Sequence, residues 1–231
     1  MIEKFKNLVD TLKNSLPIEA PLLISKDIDP SRALILREAC LHRICELAES
    51  AYEDFAKDRL VAAFIMARAI METESLFWAF LDEIEQSLKN KNIDEIRAFL
   101  SKALAGVKAT QAKEMGRELD PLHVLKLVRD KMGKKITHYY NQYEALSEFS
   151  HPNAAGLNET YARIDWDQQK VFFGINKERV HANLALPPLV GSIEAFLYKY
   201  DESAKLLEEF VNLCEVLLEN QPSQEPIKDQ V

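Results

Sequence analysis

The sequence predicts a mainly α-helical protein: a bundle of long antiparallel helices carrying one small β-hairpin near residues 160–175. Apolar residues recur at steps of three and four over most of the chain. Asp-Pro and Pro-Pro pairs stand where such stretches begin. Only 6 glycines occur in 231 residues, too few for a turn-rich sandwich or barrel. A chain of this length buries roughly 70% of the surface it exposes when unfolded, so a substantial core is expected.

Ile2, Phe5, Leu8, Val9 and Leu12 lie at helical spacing, and Pro17 to Pro21 end that stretch, which predicts a short docking helix. Asp29-Pro30 opens the next helix, with Asp placed to accept from unpaired backbone donors and Pro preset for a first turn. It runs to about Lys57 on a stripe of Leu34, Leu41, Ile44, Ala48, Tyr52 and Phe55. The helix from about Asp58 to Asn90 is the least polar. Its residues 60–71 are apolar around almost the whole circumference except at Arg68, so it belongs at the centre.

Asn92 followed by Glu95 approximates a capping box for a helix near 93–104, and Gly106 to Asp120 reads as a loop. Asp120-Pro121 repeats the earlier start signal and launches a helix to about Met132, with Gly133 supplying a left-handed C-terminal residue. A further helix spans about Ile136 to Ser150 and stops at His151-Pro152. Thr160 to Ile164 and Lys170 to Ile175 are β-branched or aromatic runs around Asp165-Trp166-Asp167, which predicts the hairpin, with Trp166 exposed at its tip. Pro187-Pro188 precedes the final helix, whose stripe is Leu189, Ile193, Phe196, Tyr200, Ala204, Leu207, Val211, Cys214 and Leu218. The expected organisation is one helical domain over 1–220, with core 30–156, hairpin 158–176 and last helix 188–219. A disordered tail over 221–231 completes it.

With 29 Lys and Arg against 37 Asp and Glu, the net charge of -8 disfavours a broad grip on nucleic acid or anionic membrane. Cys40, Cys45 and Cys214 are an odd number without a disulfide pattern, which predicts reduced thiols and a cytoplasmic protein. Charges interrupt the first sixteen residues, unlike a signal peptide, and Arg68 and Glu72 interrupt the best candidate span, so no membrane partner is expected.

Two groups of side chains carry the chemistry. Arg68, Glu72 and Ser75 form a polar stripe through the apolar surface of the central helix, where buried charge must be paired or used. The bland reading is an intrahelical ion pair; the sharper one is a site lining. Tyr140, Tyr143 or Glu144, Ser147 and His151 share one face of a later helix, where His151 could move a proton near neutral pH. Against that, a histidine at a helix C-terminus often only complements the dipole, and Ser147 can bond back to its own helix. Glu148-x-x-His151 has the spacing of a di-iron ligand pair, but the required second copy is missing. No paired zinc-ligand spacing and no glycine-based nucleotide motif occurs, so no metal and no cofactor are expected. His42, His123, His138 and His181 read as surface or capping residues, and Phe77 and Trp78 as core.

Arg68-x3-Glu72 in a central helix, with Tyr143-x2-Leu146-Ser147-x3-His151-Pro152 at a later helix end, resembles the HEPN superfamily. More narrowly, it resembles bacterial HEPN-like proteins with a tyrosine, a Leu-Ser and a His-Pro in that helix. The resemblance covers about residues 30–156. It implies a helical bundle, commonly dimeric, and a superfamily rich in metal-independent ribonucleases of toxin and defence systems, whose motif is an arginine and a following histidine with four to six residues between them. Those positions here hold Leu146, Ala145 and Glu144, so the motif arginine is absent. The expectation is therefore a binding or regulatory protein of a stress or defence system, with RNA or a protein as partner. Its candidate site comprises Arg68 and His151, with Glu72, Ser75, Tyr143 and Ser147 lining a pocket. One alternative is a ribonuclease in which His151 is the general acid or base and Arg68 stabilises the phosphorane. The other is a purely structural dimer.

Overall fold

The computed structural model describes residues 1–20, 27–106 and 121–220; the loop expected over 106–120, apart from Gly106, the Asp120 of the expected start signal and the expected tail over 221–231 lie outside them. The chain is mainly helical, with one two-stranded antiparallel sheet among the described residues. Its first four helices are α1 (Ile2–Asn14), α2 (Asp29–Ala56), α3 (Leu60–Asn90) and α4 (Asp94–Ala105). Next come α5 (Val124–Leu127), a π-helical turn over Val128–Met132, α6 (Gly133–Lys135) and α7 (Tyr139–Ser150). A second π-helical turn covers Ala154–Glu159, followed by β1 (Ala162–Asp165), β2 (Lys170–Phe173), a 3-10 turn at Ala182–Leu184 and α8 (Leu186–Glu219).

α3 is the central pillar because it is apolar all round. Phe64, Ile70, Met71, Phe77 and Ile84 are fully buried and point in different directions, so α2, α4, α7 and α8 all pack against it. Each such side chain contributes about 1.5–3 kcal/mol relative to an exposed one. Phe77 packs on Phe196 of α8 with ring centroids 4.8 Å apart. α1 docks through Phe5, Val9 and Leu12, with the Phe5 ring edge-on to Tyr52 at 6.0 Å. Among the described residues no helix is long and apolar enough to cross a membrane.

Several local expectations are corrected. Gly133 does not end its helix in the left-handed region; it is right-handed, and the helix runs on through α6. A Cβ there would stand 3.0 Å from Tyr140 Cβ, so close approach is what suits this position to glycine. The left-handed residue is His138, with φ 66°, which delays the start of α7 to Tyr139. Asp29 does not cap α2. Its carboxylate is fully buried and accepts from Arg97 Nε at 2.6 Å and Arg32 Nη1 at 3.3 Å, while Asp27 Oδ1 accepts from the Asp29 backbone N–H at 3.0 Å. In the second half of α8 the buried stripe runs through Ser203, Leu207, Phe210 and Cys214, and Ala204 is exposed. Trp78 is half-buried rather than core, with Lys135 and Lys199 nitrogens 4.9 and 5.1 Å from its ring.

Candidate functional site

α3 and α7 lie side by side and antiparallel, because the residues that meet run in opposite order. Ser75 faces Tyr139, whereas Arg68 faces Tyr143 and His151. Steps of three and four put these residues on matching faces of two straight helices. Arg68 and Glu72 on α3, and the face of α7 that ends at His151, are thus opposite walls of one groove.

Arg68 is the hub. Its Nε donates to Glu72 Oε1 at 3.1 Å and to the Tyr143 hydroxyl at 3.2 Å, and its Nη1 lies 3.4 Å from His151 Nε2. Tyr143 donates in turn to Glu72 Oε1 at 2.8 Å. Burial, and then the carboxylate that accepts its proton, raise the Tyr143 phenol above its ordinary value. The expected intrahelical pair is therefore present, and the same two side chains border a cleft.

The open side of this network is a cleft of about 370 Å³ lined by Arg68, Glu72, Leu125, Tyr140, Tyr143, Glu144, Ser147, Glu148 and His151. Ser147 lines it, but its hydroxyl donates to the Tyr143 carbonyl at 2.9 Å. Three carboxylates and one guanidinium make the lining net acidic. Polyanions are therefore opposed and small polar groups are suited to it.

His151 is exposed, and the turn after it sets its place. A Cβ on Gly156 would lie 1.8 Å from the His151 carbonyl oxygen, so the chain can close here only with glycine. Asn153 locks the closure: its backbone N–H donates to the His151 carbonyl at 2.8 Å, its Oδ1 accepts from Gly156 N at 2.8 Å, and its Nδ2 donates to Glu148 at 2.6 Å. In the arrangement seen, the lone pair of His151 Nε2 accepts from Arg68. That nitrogen is free for acid–base work only when Arg68 lets go.

Ser75 lies apart from the cleft. It is fully buried one turn further along, where its hydroxyl donates to the Met71 carbonyl at 2.8 Å and lies 3.4 Å from the Tyr139 oxygen. There it borders a second polar cluster that periodicity alone did not single out. Glu74 Oε2 stands 2.7 Å from the Tyr139 oxygen, which is also 2.9 Å from the Met71 carbonyl. Burial pushes the Glu74 carboxyl up to about 8, so it is neutral at pH 7. One phenol proton cannot serve two acceptors; a protonated Glu74 donating to Tyr139, with Tyr139 donating to Met71, satisfies both. Ser192 and Trp78 stand close enough to influence the carboxyl without completing hydrogen bonds to it, which leaves Glu74 Oε1, Trp78 Nε1 and Ser192 Oγ unpartnered among the described residues. The available sequence signal was Glu72-Thr73-Glu74-Ser75, four consecutive polar residues inside the most apolar helix.

The remaining histidines take no part in the cleft; His42 Nε2, for example, is 3.0 Å from the Pro17 carbonyl. No group of three His, Cys, Asp or Glu side chains is placed to hold a metal ion among the described residues. Comparison of the chain with protein-family models, curated proteins and solved structures finds no match in any of the three.

Proposed function

We propose that this is a HEPN-like helical binding or regulatory protein of a bacterial stress or defence system, which takes a ligand at the Arg68–His151 cleft without complete nuclease chemistry. The observation that carries this reading is the engagement of Arg68: its Nε is bound to Glu72 and Tyr143, and its Nη1 meets His151. A guanidinium whose charge is already matched by a carboxylate is a poor stabiliser of a developing phosphorane, which needs preorganised positive charge. The acidic lining adds to that, since a phosphodiester would enter against Glu144 and Glu148. Incubation of the purified, folded protein with mixed RNA in EDTA tests the reading, with intact RNA expected. Saturable cleavage abolished by His151→Ala overturns it.

The second reading is a metal-independent ribonuclease, supported by the 3.4 Å between Arg68 and His151 across 83 positions of chain. On that reading His151 is the general acid or base, and Arg68 must first leave Glu72. The same assay distinguishes the two. Glu72→Gln, which removes the negative charge matched to the guanidinium, is expected to raise cleavage only if the second reading holds.

A further inference from the structure

The hairpin fixes what its outer edge offers. Ala162 pairs with Phe173, Arg163 with Phe172, Ile164 with Val171 and Asp165 with Lys170, and the Gly174 N–H donates to the Tyr161 carbonyl. At steps of two from that bond, the backbone groups of Arg163 and Asp165 turn toward β2, and those of Ala162 and Ile164 turn outward. Side chains sort the same way. Ala162, Ile164, Val171 and Phe173 share one face; Arg163, Asp165, Lys170 and Phe172 share the other. The first face is apolar yet open, with Ile164 47%, Val171 49% and Phe173 85% exposed, and Trp166 is 80% exposed at the tip. A two-stranded ribbon of this kind is marginal in water, and an unpaired apolar edge is a template for pairing.

We infer that the edge of β1 is an interface between two copies of this chain, paired antiparallel about a two-fold axis through Ile164 to give a four-stranded sheet in the order β2-β1-β1-β2. Charge complementarity selects both the occupant and the register. Three antiparallel self-pairings align the outward backbone groups, centred on residue 163, 164 or 165. The first sets Arg163 against Arg163 and the third Asp165 against Asp165. Only the middle one sets Arg163 against Asp165 of the second copy, twice by symmetry.

In that register Asp165, already opposite Lys170 in its own hairpin, lies between two cations. Its Oδ1 also accepts from the Gln168 backbone at 2.9 Å. Arg163, held with its guanidinium 4.9 Å from the Phe172 ring centre, gains a carboxylate, and it forms no ion pair among the described residues. The two Ile164 side chains meet, and Trp166 of each copy comes alongside Ala162 of the other. This interface stands independently of any ligand at the cleft.

Light scattering of the full chain tests it. The wild type is expected at twice the 26.4 kDa chain mass. Arg163→Asp and Asp165→Arg are each expected to give monomers, and the double variant carrying both changes to return the dimer. A monomeric wild type, a dimer that survives both single changes, or a double variant that stays monomeric overturns the inference. Should a charge change unfold the protein, cysteine trapping decides. Ile164→Cys is expected to be linked into a dimer by a short bis-maleimide and Val171→Cys is not, since Cys40, Cys45 and Cys214 are buried. Equal trapping of the two variants, or no trapping of Ile164→Cys, refutes the register.

Discussion

Arg68 and His151 are 83 positions apart in the chain and 3.4 Å apart in the fold, and Tyr143 holds the first of them in place. Tyr143→Phe keeps the ring and deletes the hydroxyl, leaving Glu72 and Arg68 with one partner fewer. A loss of about 1 kcal/mol in urea unfolding is expected. The His151 ring signals in nuclear magnetic resonance are expected to shift with it, because Arg68 loses an anchor. An unchanged spectrum with unchanged stability would show that the network is not formed in solution.

Gly156 and Gly191 offer a paired test of backbone constraint. Gly156→Ala places a methyl on the His151 carbonyl and is expected to cost on the order of 2 kcal/mol while displacing His151. Gly191→Ala, in α8 with nothing within 4 Å of the new Cβ, is expected to add about 0.5–1 kcal/mol through helix propensity. Thermal melts of both variants check the contrast in sign.

Glu74 makes stability depend on pH in a direction opposite to most carboxyl groups. Its folded value of about 8 lies above the ordinary value of 4.5, so between them the folded state binds the extra proton. Its contribution is complete below about 4.5 and is lost as pH rises toward about 8. Glu74→Gln keeps a neutral polar group there. The variant is expected to flatten this part of the urea midpoint against pH curve, and to exceed the wild type by a few kcal/mol at about pH 9. Parallel curves for the two proteins would show that Glu74 ionises normally.

Arg97→Met removes a partner 2.6 Å from a fully buried carboxylate, leaving Asp29, among the described residues, with the longer 3.3 Å contact to Arg32. Half-exposed arginine moderates the effect, and a loss of about 2 kcal/mol is expected. Adding Asp29→Asn to that variant is expected to recover part of it, because an amide costs less to bury alone than a charge. A double-mutant cycle in urea measures the coupling.

Periodicity made the helices legible because each buries a stripe, and the hairpin legible because its residues alternate around a polar turn. It could not give the partner of each stripe. Arg68 and Tyr143 were recognisable as candidates, but their meeting depends on α3 and α7 running antiparallel, which long-range packing decides. Ser75 shares the helix face of Arg68 and Glu72 and yet leaves the cleft, because α7 closes over that end with Tyr139. Glu74 was hidden for a different reason: an amphipathic pattern marks one polar face as solvent, and α3 has α2, α4, α7 and α8 packed around it. Gly133 and Asp29 carried standard terminus signals, but a close approach and a buried ion pair claimed them instead.

Thr73, Glu74 and Ser75 point about 100° apart around α3. Thr73 accepts from Arg43 of α2 at 3.2 Å, while Glu74 and Ser75 meet Tyr139 of α7. Apolar helix surfaces tolerate sliding, since one leucine ridge fits a groove much as the next does. A slip of one turn, about 5.4 Å, would part Thr73 from Arg43 and both Glu74 and Ser75 from Tyr139, and would strand the buried Glu74 carboxyl. The triplet therefore works as an indexing key: it selects a single axial alignment for α2 and α7 against the pillar, and so sets where along that pillar the cleft opens.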